Sequence, residues 1–126
     1  MNDIFKALGD INRLKILCLL SLYELCVCEI EVLLDLSQSN VSRHLAKLKS
    51  ANLISGDKDA LWIHYRISDT FKSENELLYR YLIEKYESLE EYIKLIERCK
   101  LYKESPYTCQ TIRNDKNFVL NFLKKE

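Results

Sequence analysis

The chain is poor in the residues that break a backbone, with 2 Gly and 1 Pro among 126 residues. That scarcity favours long helices and disfavours a turn-rich β fold. No run approaches 18 apolar residues, so no membrane span and no membrane partner are expected. The N-terminus, Met1-Asn2-Asp3-Ile4-Phe5-Lys6, lacks the charged-then-apolar pattern of an export signal. A cytoplasmic location is therefore expected, and with it reduced thiols for the 5 cysteines. Their odd number also argues against a complete disulfide framework. A Cys-x-x-Cys pair, a Gly-rich phosphate loop and a βαβ pattern are all missing, so an enzyme such as a thiol oxidoreductase is not expected. Overall charge is missing too: 19 basic residues balance 19 acidic ones. The balance is uneven along the chain. Between Ser37 and Arg66, the five cations Arg43, Lys47, Lys49, Lys58 and Arg66 face only Asp57 and Asp59. Phosphate binding needs such a local patch rather than a basic protein.

What is present is mostly helical periodicity. Residues 4–8 read as a short helix stopped at Gly9. Asp10 is a good N-cap for a helix over 11–22, with Ile11, Leu14, Leu17 and Cys18 on one stripe and Arg13 and Lys15 off it. A third helix is predicted over 28–34, with Glu29 and Glu31 near its positive end. Asp35-Leu36-Ser37 makes a turn, and Ser37 caps a helix reaching about residue 51. That helix buries Val41, Leu45 and Leu48 and presents Gln38, Ser39, Ser42, Arg43 and Lys47. Two helices joined by so short a turn, the second polar at its start, fit helix-turn-helix geometry for reading double-stranded DNA. His44 follows Arg43 and is read as a phosphate or packing residue.

The β-rich runs 53–55 and 61–67, around Gly56-Asp57-Lys58-Asp59, read as a hairpin, and a hairpin behind a recognition helix is a wing. One long helix is predicted over 75–102, where Tyr79, Leu82, Tyr86, Leu89, Ile93 and Ile96 form an a/d seam. Pairing with a second copy, or packing on its own domain, would cover that seam. The expected fold is mainly α with a small β-hairpin wing: a winged helix-turn-helix, homodimeric through a long C-terminal helix. Residues 1–102 would be the DNA-binding and dimerisation domain. Residues 103–126 would be an extension, broken at Pro106, with a short helix capped by Asn114-Asp115.

Just before the reader lies Glu24-Leu25-Cys26-Val27-Cys28-Glu29. Two thiols beside a DNA reader suggest a switch worked by a soft ion. On a regular helix, residues two apart point about 200° from each other. Cys26 and Cys28 could share one ion only if the backbone near Val27 is extended or the helix start unwinds, and the resulting strain is the expected lever on the reader. The competing reading makes them small buried apolar residues. Oxidation or sulfur bridging of the pair is a second alternative: a thiol-based redox or sulfur-responsive repressor. Cys18, on its apolar stripe, is expected in the core.

Five stretches occur in one order: 5–10, 13–17, 24–29, 36–45 (Leu-Ser-Gln-Ser-Asn-Val-Ser-Arg-His-Leu) and 62–66 (Trp-Ile-His-Tyr-Arg). Together they resemble the ArsR/SmtB family of winged-helix metal-sensing repressors, and the Cys-Val-Cys box resembles its arsenite-responsive branch. The resemblance implies a homodimer that represses a resistance operon and releases operator DNA when As(III) or Sb(III) binds Cys26 and Cys28. Cd(II), Pb(II) and Bi(III) are the alternative inducers. It also implies a DNA face made of Ser37, Gln38, Ser39, Asn40, Ser42, Arg43, His44 and Lys47. The chain departs from the pattern in places. Glu31 stands where the arsenite branch often has a third cysteine; Cys99 or Cys109, of this chain or of a partner subunit, could supply a third thiolate, and the competing reading leaves both as isolated thiols and the site with two sulfurs. Ala60 and Leu61 replace the wing-tip Gly and Arg, leaving wing contacts to Lys58. The zinc site of the family, on the C-terminal helix, cannot be assembled because His44 and His64 both lie elsewhere.

Overall fold

A computed structural model describes residues 1–59 and 61–124. Helix α1 (Asn2–Leu8) leads through Gly9 to α2 (Ile11–Leu20), then to strand β1 (Leu25–Cys26), α3 (Val27–Leu34) and α4 (Gln38–Ser50). The hairpin β2 (Ile54–Asp59) and β3 (Trp62–Ile67) follows, then α5 (Asp69–Glu74), α6 (Glu76–Ser88), α7 (Glu90–Glu104), α8 (Cys109–Asn114) and α9 (Lys116–Lys124). The antiparallel sheet has the order β1-β3-β2, with Cys26 opposite His64 and Asp59 opposite Trp62. The hairpin therefore turns between Asp59 and Trp62, beyond the Gly56–Asp59 stretch where the sequence suggested it. The expected wing-tip position Ala60 lies outside the described residues.

Local chemistry explains the helix ends. The Asp10 carboxylate accepts from the backbone N–H groups of Asn12 and Arg13, at 2.8 and 3.1 Å, and Ser37 Oγ accepts from Asn40 N–H. Each satisfies orphan donors of a first turn. Asp35 (φ 53°) ends α3 and Asn52 (φ 61°) ends α4 in the left-handed region, which Asn and Asp tolerate better than other side-chain-bearing residues. The core joins α2, α3, α4, the sheet and α7 through Ile16, Leu17, Leu25, Ile30, Leu33, Val41, Leu48 and Tyr102, all essentially inaccessible.

Three expectations change. Ile11, placed on the buried stripe of α2, is exposed, whereas Arg13, placed off it, is buried. The helix expected over 75–102 is two helices, because Leu89 is extended (ψ 131°) and forms the N-cap of α7. The proposed seam consequently does not run as one face. Leu82 and Tyr86 are buried in their own chain, and Tyr86 Oη donates to the carbonyl of Leu14 at 2.9 Å. Finally, the extension holds two helices, α8 and α9, and both lie against α3.

Candidate thiol site and nucleic-acid interface

Cys26 is both the last residue of β1 and the N-cap of α3, with extended backbone (φ −93°, ψ 169°). Cys28 sits on the first turn of that helix. The extended cap swings the two thiols to one side, and their sulfurs stand 3.4 Å apart. The pair thus converges without any unwinding of α3, which removes the strain expected to drive the switch. Cys109, the first residue of α8, comes from the extension to complete a cluster. The Sγ atoms of Cys26, Cys28 and Cys109 all lie within 4.8 Å of one another. The three residues are only 2%, 4% and 9% exposed. The Cys109 sulfur contacts that of Cys26, while their Cα atoms are 7.4 Å apart. Disulfides ordinarily span 4.4–6.8 Å between Cα atoms, so these two backbones stand farther apart than in an ordinary disulfide. Cys99 is fully buried in α7 and, like Cys18, belongs to the hydrophobic core.

Glu29 organises the cluster. Its Oε1 accepts from the Cys26 N–H at 3.1 Å and from the Cys26 thiol at 3.3 Å. Its Oε2 accepts from the buried Tyr102 hydroxyl and lies 3.8 Å from Lys103 Nζ. Burial pushes the Cys28 thiol up to about 11, and the Glu29 carboxylate adds to the rise while Arg113 opposes it. Cys28 is therefore protonated at neutral pH, and a soft ion would have to displace its proton.

Gln38, Ser39, Asn40, Ser42, Arg43 and Lys47 are exposed on α4, as is Ser37 at its cap, and together they form one polar face. Asn40 Oδ1 accepts from Arg43 Nη2 at 3.0 Å, and the hydroxyls of Ser37 and Ser39 are 3.3 Å apart. Lys58 is exposed on β2 near the wing tip. Arg66 is held by Asp57 and Asp69, at 3.1 and 3.2 Å, so it is compensated within the chain.

His44 departs from its expected place on this face. It is buried, and its Nδ1 lies 3.2 Å from Arg13 Nη1. Arg13 can only donate, so Nδ1 is the acceptor of a neutral imidazole. The Asp10 carboxylate is farther from that atom, at 4.0 Å. Arg13 also donates to the carbonyls of Ala7 and Lys6. The buried Arg13–His44 pair thus fastens α1 and α2 to α4. Sequence alone signalled neither burial, because charged residues are usually exposed. Burial lowers the His44 pKa below its ordinary 6.5. The unfolded chain then binds a proton that the folded chain refuses, so this contribution is intact above about pH 6.5 and is lost as pH falls through the depressed value. Denaturant midpoints should drop as pH falls below about 6.5. His44→Asn, which keeps an acceptor near Nδ1, should flatten that part of the profile, and an unchanged slope would show that another group is responsible.

Similarity to known proteins follows the same geometry. The profile of the bacterial regulatory protein arsR family matches residues 10–55, a segment holding Cys26, Cys28 and α4 but not Cys109. The arsenical resistance operon repressor of Escherichia coli K12 is 50% identical over 67 residues, which cover 52% of this chain and 57% of that protein. The chain therefore spans less than two thirds of that relative. Reduced HlyU from Vibrio cholerae is a solved structure with 42% identity and a TM-score of 0.54, covering 62% of this chain and 83% of that one. A homodimeric winged helix-turn-helix DNA-binding domain from Mycobacterium bovis, a possible ArsR-family regulator, has 27% identity and a TM-score of 0.58, covering 71% of this chain and 82% of that one. Residues 10–55 carry the family's profile and the winged helix-turn-helix carries its fold: the chain belongs to the arsR family of bacterial regulatory proteins, which are DNA-binding transcription regulators and not enzymes.

Proposed function

We propose that the protein is a homodimeric repressor that holds double-stranded operator DNA with α4 and releases it when As(III) or Sb(III) binds Cys26, Cys28 and Cys109. The convergence of three sulfurs within 4.8 Å carries this reading. Thiolates select soft ions, and a trivalent metalloid forms three such bonds. Cd(II), Pb(II) and Bi(III) are the alternative inducers. Three sulfurs match the metalloid's bond number, while a divalent ion, which ordinarily takes a further ligand, would draw on the Glu29 carboxylate 3.3 Å from the Cys26 sulfur. Similarity to an arsenical resistance operon repressor supports the same choice. No helix among the described residues is long and apolar enough to cross a membrane.

Titrating the protein onto DNA from its own upstream region, with and without each ion, tests the proposal. Release by As(III) or Sb(III) at concentrations that leave the other ions silent is expected. DNA binding indifferent to every thiophilic ion would overturn it. A redox reading is favoured by one observation, the direct contact of the Cys26 and Cys109 sulfurs. Release by peroxide but not by arsenite would select it.

Docking is tested on α4. The exposed Arg43 and Gln38 would read bases in the major groove, and Lys47 would meet phosphate. Arg43→Ala should cost about 1–3 kcal/mol and relax sequence preference, while Lys47→Ala should weaken all sequences alike and flatten the salt dependence. Wild-type affinity in both variants would exclude this docking.

A further inference from the structure

The ion site lies at the start of α3, whereas the DNA face is on α4, so occupation must be carried from one to the other. We propose that the C-terminal extension carries it: α8 supplies Cys109 to the ion, and α9 holds the α3–α4 turn through Lys116. This inference rests on the ion reading above and adds the route by which that site is coupled to DNA.

The contacts bracket α3 at both ends. At its start, Cys109 joins Cys26 and Cys28. At its end, Lys116 Nζ donates to the carbonyl of Leu36 at 3.0 Å and to Glu31 Oε1 at 3.3 Å. Leu36 lies within the turn, immediately before the Ser37 cap of α4. Lys124 Nζ stands 3.6 Å from Asp35 Oδ2, and Asp35 is the left-handed residue that redirects the chain from α3 towards α4. The Lys116 ammonium is partly buried and Glu31 more so, so this contact is less screened than a surface ion pair. The two helices of the extension are also packed on each other. Tyr107 packs edge-on against Phe118 and Phe122, with ring centroids 5.3 and 5.0 Å apart. Ile112 of α8 and Val119, Leu120 and Leu123 of α9 are buried together, and Asp115 caps α9 through the Phe118 N–H. Bonds from an ion to Cys109 fix α8 against the start of α3. Because α9 moves with α8, the same bonds reposition the grip of Lys116 on the turn that aims α4. The family profile ends at residue 55, so this route uses a part of the chain outside it.

The decisive variant is Lys116→Met in the full chain, which keeps the apolar stem and removes the donor. Three quantities are read: As(III) affinity from sulfur-to-arsenic absorbance, operator affinity without As(III), and operator affinity at saturating As(III). The first two are expected to stay within about 2-fold of wild type. The third should rise, so that release falls from the roughly 5–150-fold typical of allosteric coupling to about 2-fold or less. Lys116→Arg, which restores a donor, should recover release, and this arm separates coupling from any loss of folding. Wild-type release from Lys116→Met, or no recovery in Lys116→Arg, overturns the route while leaving the ion site standing. A wild-type protein that binds As(III) without releasing DNA overturns the underlying reading instead.

Discussion

Replacing Cys109 with serine is expected to weaken As(III) binding by roughly 100-fold or more and to leave operator affinity near wild type. Loss of a residue that merely supports a metal ligand costs about 10–100-fold, and Cys109 would be a ligand itself. Serine is a hard, weakly acidic donor that does not replace a thiolate for a soft ion. The residue lies on α8 and is not one of the exposed side chains of α4, so the proposed DNA contacts have no reason to change. Cys28→Ser should be at least as damaging, because it removes the sulfur 3.4 Å from Cys26. Cys99→Ser should keep normal As(III) affinity and lose stability instead, since it places a hydroxyl in the fully buried core beside Cys18. Calorimetric titration of the three variants separates these outcomes. A Cys109→Ser protein with wild-type affinity would reduce the site to two sulfurs, and tight binding by a Cys26→Ser, Cys28→Ser double variant would end the thiolate reading.

The parts of this site legible in the sequence were the local ones. The Cys-Val-Cys spacing, the Ser37 cap and the polar start of α4 each depend on neighbours within a few residues, and all appear in the fold. The requirement that the backbone near Val27 be extended was legible as geometry, and β1 meets it at Cys26. Selecting Cys109 over Cys99 was not possible, because Cys109 meets Cys28 across 81 positions of sequence. The burial of His44 depends likewise on Arg13, 31 positions away. The break at Leu89 was hidden for a different reason: no Gly or Pro marks it, and the apolar spacing runs through without interruption. Its faint local signals are Ser88, a weak helix former, and the acidic pair Glu90-Glu91 at the start of α7. Tertiary packing is consistent with the break, since Tyr86 stacks at a tilt on Tyr92 (centroids 4.9 Å apart) across the junction and α7 lies back on α2.

That break also redirects the test for a dimer. The double substitution Leu77→Glu, Tyr81→Glu is expected to leave a folded monomer whose operator affinity falls by roughly 10²–10⁴-fold, the avidity lost when two linked half-site contacts become one. With Leu82 and Tyr86 turned inward, the free apolar surface of α6 is the i, i+4 pair Leu77 and Tyr81, 79% and 55% exposed, beside Phe5 of α1 at 54%. A second copy would cover this face and present two recognition helices to a two-half-site operator. Because both side chains already face solvent, carboxylates there cost the isolated chain little. In an interface they would be buried and unpaired, which is strongly unfavourable. Sedimentation velocity at micromolar concentration, with circular dichroism to verify helix content, gives the result. A double variant that still sediments as a dimer would move the interface elsewhere, with the half-exposed Leu89 and Ile93 beside the break as the next surface to charge.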